Sequence, residues 1–176
     1  MEAIYAVDCN NGLSKDGIIP WHSKKDLKFF MNMTKNNVVI MGRNTYFSLP
    51  KRPLKDRLNI ILTSKPLEFA SEESQNLSNV IFTNNDKIYN SILNYREKYC
   101  KQFSSLSSNF KIFIIGGKKI YEQFIPLCER VWMTRIKKDY SCDLFLDYDY
   151  SKQFKEETID EDDELIIKKY EKSVLP

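Results

Sequence analysis

At 176 residues, with 42% hydrophobic and 13% aromatic side chains, the chain has the apolar content of a single folded domain, which excludes a disordered segment. A net charge of +3 is too small to argue for nucleic acid, and lysine outnumbers arginine 21 to 6, so the six arginines are the selective anion readers to inspect. Cys9, Cys100, Cys128 and Cys142 form no CxxC pair and His22 is the lone histidine. No metal site is expected, and four reduced thiols point to the cytoplasm.

The N-terminus lacks a basic region and a cleavage signal, and no apolar run approaches the ~20 residues that span a bilayer. Ala3 to Val7 reads as a buried strand entering a polar loop, Asp8 to Ile19. Ser23 then caps a helix to about Lys35, with Leu27, Phe30, Met31 and Thr34 on one face. Asn37 to Met41 is a strand, Gly42 turns into a brief helix near Thr45 to Ser48, and Arg57 to Thr63 is another strand. The polar stretch Ser64 to Asn79 reads as a surface loop. After a strand at Val80 to Phe82, Asn85 or Asp86 caps a helix to about Tyr99, and Gln102 to Asn109 is a serine-rich loop. Phe110 to Ile115 is a central strand, Gly116-Gly117 leads into a helix over Lys118 to Phe124, and Val131 to Lys137 is a strand. Phe154 to Ile159 and Leu165 to Glu171 form an antiparallel hairpin around an acidic turn. Short apolar strands alternating with helices indicate an α/β fold with a mostly parallel sheet, and no domain linker interrupts residues 1–176.

Four features carry potential chemistry. Asp26 lies between Trp21, Leu27, Phe29 and Phe30, where a carboxylate facing a pocket has its pKa raised by desolvation. Facing solvent, the same residue is an ordinary first-turn acid, and both readings stand on the residues alone. Two strand–glycine–helix junctions, at Gly42-Arg43-Asn44-Thr45 and Gly116-Gly117-Lys118-Lys119, present backbone N–H groups and basic side chains suited to phosphate. Neither matches a Rossmann fingerprint or a P-loop, so tight turns and a nucleotide site are both open. Arg57 opens a buried strand and suits a carboxylate ligand; Thr134 is either a partner for Asp26 or a plain strand residue.

The order of these segments resembles that of the dihydrofolate reductase family over nearly the whole chain. The matching motifs are AIYAVD from Ala3, GIIPW from Gly17, DLKFF from Asp26, VIMGRNT from Val39, RPLKDRLNIIL from Arg52, IIGGKKIYEQF from Ile114 and TRI from Thr134. The resemblance implies an eight-stranded, mostly parallel sheet with flanking helices and an antiparallel C-terminal strand. It also implies NADPH-dependent reduction of 7,8-dihydrofolate. A monomer that requires neither nucleic acid nor membrane is the default expectation. Asp26 falls at the family's acidic position, which hydrogen-bonds the pterin 2-amino group and N3. Thr134 would stand beside it, and Trp21 near the water that protonates N5. Phe30 and Leu49 would sandwich the substrate rings, with Ile4, Ala6, Leu54 and Ile115 lining the cleft. Arg57 would grip the α-carboxylate of the glutamate tail and Lys28 the outer one. For the cofactor, Ala6, Leu13, Ser14, Gly17 and Ile18 would cover the nicotinamide. Gly42, Arg43, Asn44, Thr45, Gly116, Gly117, Lys118, Lys119, Ile120 and Tyr121 would hold phosphates and nicotinamide. Thr63, Ser64 and Lys65 would lie near the 2′-phosphate.

The family commonly has Ile-Gly where this chain has Leu13-Ser14, Trp at Tyr46, and Gly at Asp56. A serine in the cover raises the question of loop closure, and Asp56 competes for the guanidinium of Arg57. Two other readings differ in class: a same-fold pyrimidine reductase of flavin synthesis, and a degenerate fold that binds a partner or nucleic acid through its lysines.

Overall fold

The computed structural model describes residues 1–73 and 77–174. In chain order the strands are β1 (Glu2–Val7), β2 (Gly12–Ser14), β3 (Val38–Gly42), β4 (Leu58–Leu62), β5 (Val80–Thr83), β6 (Ile112–Ile114), β7 (Arg130–Ile136), β8 (Leu144–Phe145), β9 (Phe154–Glu161) and β10 (Leu165–Lys172). The helices are α1 (Lys24–Thr34), α2 (Arg43–Ser48), α3 (Pro66–Glu73), α4 (Ile88–Asn94), α5 (Arg96–Gln102) and α6 (Lys118–Phe124). The chain packs as two compact units, one of residues 1–31 with those from Lys118 onward, the other Asn32–Gly117.

In the second unit the strands run β5-β4-β3-β6, all parallel. Val38, Val39, Ile40, Ile60 and Ile114 have no solvent exposure, as expected of β-branched runs sheltered on both faces. In the first unit the order is β1-β7-β10-β9. There β1 and β7 are parallel, and β10 is antiparallel to both neighbours. The α/β class, the mostly parallel pairing and the antiparallel C-terminal strands are those expected from the sequence. Ser23 caps α1 as anticipated, its Oγ accepting the Asp26 N–H at 3.1 Å.

Four details depart from the sequence reading. The loop after β1 contains β2, which pairs with β8 in a separate ribbon; strands of three and two residues carry no periodic signal. The stretch read as a loop from Ser64 holds α3, which Pro66 opens with a dihedral already suited to helix. Residues 74–76 of that stretch lie outside the described residues. The helix expected to run to Tyr99 breaks at Tyr95 (φ −116°, ψ 40°). Beyond the break, Arg96 donates to the Phe110 carbonyl and sets its guanidinium 4.3 Å over the Phe110 ring, a tertiary attraction that helical periodicity does not reveal. On α1, Leu27 and Met31 are 59% and 55% exposed, whereas Thr34 is buried. The apolar spacing there describes a surface as well as a core.

Candidate active site

Asp26 occupies the first turn of α1, and the Thr134 hydroxyl of β7 donates to its carboxylate. Burial pushes the Asp26 pKa up, the Thr134 hydrogen bond opposes this, and the negative field of Glu164 adds to the rise. The net result is a carboxylate with raised proton affinity. Removal from water costs the charged form more than one hydroxyl restores. Thr134 is itself 2% exposed, held in register opposite Ala6 on β1 and Ile167 on β10. The first-turn position of Asp26 and its sheltering therefore coexist.

Trp21 packs with Ile136, Cys142, Leu165 and Ile167, with Ala6, Phe29 and Tyr140 against them. The preceding loop is pinned at its base. Asp8 Oδ1 accepts the Gly12 and Asn10 N–H groups at 2.8 and 2.9 Å, and Oδ2 accepts that of Tyr140 at 3.1 Å. A β-carbon on Gly12 would stand 2.4 Å from Cys142 Cβ and 2.8 Å from Asp8 Oδ1, so only glycine fits. Ser14 lies in extended β2, its carbonyl accepting the Asp143 N–H at 3.1 Å. A side chain is ordinary there. The left-handed turn falls instead on Asp16 (φ 51°) and Gly17 (φ 76°), with the Asp16 N–H donating to Asp143 Oδ2 at 2.9 Å. Leu13 is buried, Ser14 half-buried, and Gly17 and Ile18 exposed. His22 is exposed.

In the second unit Arg57 is 5% exposed; its Nε donates to Thr34 Oγ1 at 2.9 Å and one terminal nitrogen to the Lys55 carbonyl at 2.8 Å. Burial lowers its pKa and the charge of Asp56 raises it. Asp56 therefore acts through its field as well as through any competition for hydrogen bonds. It adopts a left-handed φ of 57°, which aspartate tolerates better than most residues. Fully buried Asn59 organises the same segment. It receives Leu54 N–H at 3.0 Å and donates to the Leu54 and Arg57 carbonyls at 2.9 and 3.1 Å. Leu49 and Leu54 are half-buried and Ile115 is 8% exposed.

The glycine junctions of this unit face each other: Gly42 N–H donates to the Gly116 carbonyl at 2.8 Å, and a β-carbon on Gly117 would touch Thr45 Oγ1 at 3.4 Å. Gly116 adopts φ 112°, which side chains rarely take, and the Gly116-Gly117 bond is cis. α2 and α6 are only six and seven residues long, so the dipole at either N-terminus is short. Arg43, Asn44, Ser64, Lys65 and Lys119 are exposed, and Thr45, Thr63 and Lys118 half-buried. On the first unit, Tyr121 donates to the Ile4 carbonyl at 2.9 Å and burial holds its pKa well above the usual value. Ile4 is buried, Ala6, Phe30 and Ile120 are half-buried, and Lys28 is exposed.

Leu27, next to Asp26, presents exposed apolar surface, which its helical spacing does not reveal. The sequence reading missed Asp8, which anchors the turn to Gly12 through three backbone N–H groups; the four-residue step to Gly12 was its only trace.

Fold and site thus define an α/β protein with a carboxylate of raised proton affinity, Asp26, on its first helix and two strand-ending glycines that face each other. The sequence profile of the dihydrofolate reductase family matches residues 1–173. A dihydrofolate reductase of Ureaplasma parvum serovar 3 is 33% identical over 151 residues, 86% of this chain and 84% of that protein. A bifunctional dihydrofolate reductase-thymidylate synthase of Zea mays is 36% identical over 147 residues, 77% of this chain but 26% of that longer protein. A solved dihydrofolate reductase from Enterococcus faecalis, complexed with NADP(H) and RAB-propyl, shares the fold with a TM-score of 0.68. The match is 24% identical and covers 98% of this chain and 96% of that one. The chain belongs to the dihydrofolate reductase family.

Proposed function

We propose that this chain is an NADPH-dependent dihydrofolate reductase, converting 7,8-dihydrofolate to 5,6,7,8-tetrahydrofolate for one-carbon metabolism and thymidylate synthesis. The observation that carries the reading is the sheltered Asp26 carboxylate, held by Thr134 and raised in proton affinity by burial. A planar ligand with adjacent N–H donors satisfies such a group better than one hydroxyl does. Asp26 accepts hydrogen bonds from the pterin 2-amino group and N3 and polarises the ring. Thr134 fixes the carboxylate's orientation. NADPH, when bound, supplies the hydride that C6 receives. Trp21 borders the path by which water brings a proton to N5, while Ala6, Leu13, Ser14, Gly17 and Ile18 exclude bulk solvent.

Phe30 and Leu49 hold the substrate rings, with Ile4, Leu54 and Ile115 around them; Arg57 meets the α-carboxylate and Lys28 the outer one. Arg43, Asn44, Thr45, Thr63, Ser64 and Lys65 read the cofactor phosphates, with Gly42 and Gly116 to Tyr121 completing its site. The NADP(H) complex of the Enterococcus faecalis protein supports that cofactor class. We place the activity in one domain, residues 1–176, acting as a cytoplasmic monomer without nucleic acid. Four unpaired thiols agree with a reducing compartment, and no helix among the described residues is long and apolar enough to cross a membrane. The presence of Asp26, Thr134, Arg57 and both glycine junctions supports catalysis over a degenerate binding fold. The direct test is NADPH oxidation by the purified chain with 7,8-dihydrofolate. Turnover is expected with that substrate and not with a ribosylated aminopyrimidine; silence with dihydrofolate would overturn the reading.

A further inference from the structure

The unexpected helix α3 bears on cofactor choice through two adjacent residues. Glu68 Oε2 lies 3.2 Å from Lys65 Nζ, with both side chains more than half exposed. This pairing offsets part of the positive charge that Lys65 would offer a phosphate. The neighbouring Phe69 instead lies under Arg43, whose guanidinium carbon is 5.2 Å from the ring centroid. An aromatic face attracts a cation without neutralising it. It also reduces the rotamer freedom that a long exposed side chain surrenders when it binds.

The platform is braced. Phe69 packs on Phe47 and Phe82 at centroid separations of 5.4 and 6.4 Å, and fully buried Tyr46 packs on the same two rings at 5.3 and 5.6 Å. Arg52 caps Phe47 from 4.9 Å. Asn44 adds one long contact to Arg43, at 3.5 Å.

We infer that Phe69 is a specificity-determining positioning residue, which selects a 2′-phosphorylated adenosine by holding the Arg43 guanidinium ready as an anion receptor. This rests on the reading of Arg43 as a cofactor-phosphate ligand. Lys65, paired with Glu68, contributes less to the discrimination than its charge suggests.

The test is calorimetric binding of adenosine 2′,5′-bisphosphate and adenosine 5′-monophosphate to the full chain. Phe69→Leu is expected to weaken the bisphosphate roughly three- to fivefold, the scale of one exposed cation–π contact, and to leave the monophosphate unchanged. Phe69→Trp is expected to retain the preference. In turnover, the KM for NADPH rises by the same factor while the KM for NADH and kcat hold. Equal weakening of both ligands by Phe69→Leu, or no change in either, would overturn the inference. So would loss of the preference in Phe69→Trp. Arg43→Gln separates the two levels. Loss of discrimination there without loss in Phe69→Leu refutes the role of Phe69 alone. Preserved discrimination in Arg43→Gln refutes the phosphate reading of Arg43 and the inference with it.

Discussion

Asp8 and Asp26 belong to the same unit and both are withdrawn from water, yet their proton affinities move in opposite directions. At Asp8, burial raises the pKa, but the N–H groups of Gly12, Tyr140 and Asn10 with the Cys142 thiol outweigh it and the net shift is downward. At Asp26, burial meets one hydroxyl, Glu164 adds repulsion, and the net shift is upward. Donor supply decides the sign. Glu2 is likewise fully buried and supplied with donors, Arg130 at 3.0 Å and the Trp132 indole N–H at 2.9 Å. An acid saturated with donors anchors the chain, whereas one short of donors keeps its affinity for a ligand's N–H groups.

The largest expected effect is on Asp26. Replacement with asparagine should cut kcat/KM for dihydrofolate by roughly a hundredfold or more at neutral pH while NADPH affinity holds, as steady-state kinetics and fluorescence titration would show. The same variant should gain stability. A carboxylate whose folded pKa is raised penalises the folded state once ionised. That penalty is absent below the unfolded pKa and complete above the folded one. The stability advantage of Asp26→Asn should therefore grow as pH rises through the window and vanish in acid. An advantage that shrinks with rising pH would break the contrast with Asp8.

Asp8→Ala should cost about 3 kcal/mol in urea unfolding at neutral pH, since the buried Gly12 N–H and the part-buried Asn10 and Tyr140 N–H groups lose their acceptor, at ~1–3 kcal/mol for a buried one. The sign of its pH dependence is reversed. A depressed folded pKa gives stability that is present above the unfolded pKa and lost as pH falls through the folded one. The difference between wild type and Asp8→Ala should therefore shrink in acid.

Arg57→Leu extends the comparison to a buried cation. Loss of a charge-assisted, bidentate partner should raise the KM for dihydrofolate about tenfold with a smaller change in kcat; an unaltered KM would remove Arg57 from the substrate site. The smallest effect is expected from Lys25→Ala. Lys25 lies 2.6 and 2.9 Å from Asp162 and Asp160, but such exposed pairs are screened and entropically costly. No resolvable change in thermal midpoint is expected at high salt.

Much of the fold was legible because parallel strands are continuous apolar runs: VVIM and LNIIL announce β3 and β4 without tertiary information. Part of the candidate site could be proposed from the sequence for a different reason. Asp26, Arg57 and the two glycine junctions are residue types whose chemistry is unusual at a strand or helix boundary. The ribbon of β2 and β8, the break at Tyr95 and the exposure of Leu27 were illegible, because partners far along the chain determine each of them.

The amino-acid order by itself determined that one acid stands among aromatics ahead of a strand-rich α/β chain, and that basic residues follow two strand-ending glycines. Local rules of capping, periodicity and backbone freedom suffice for that. Only the tertiary structure decided that Asp26 is short of donors while Asp8 is supplied with them, and that α3 sets Phe69 beneath Arg43. Desolvation and donor supply depend on groups brought together from distant positions, such as Asp8 with Tyr140 and Asp26 with Thr134, and no local pattern encodes their meeting.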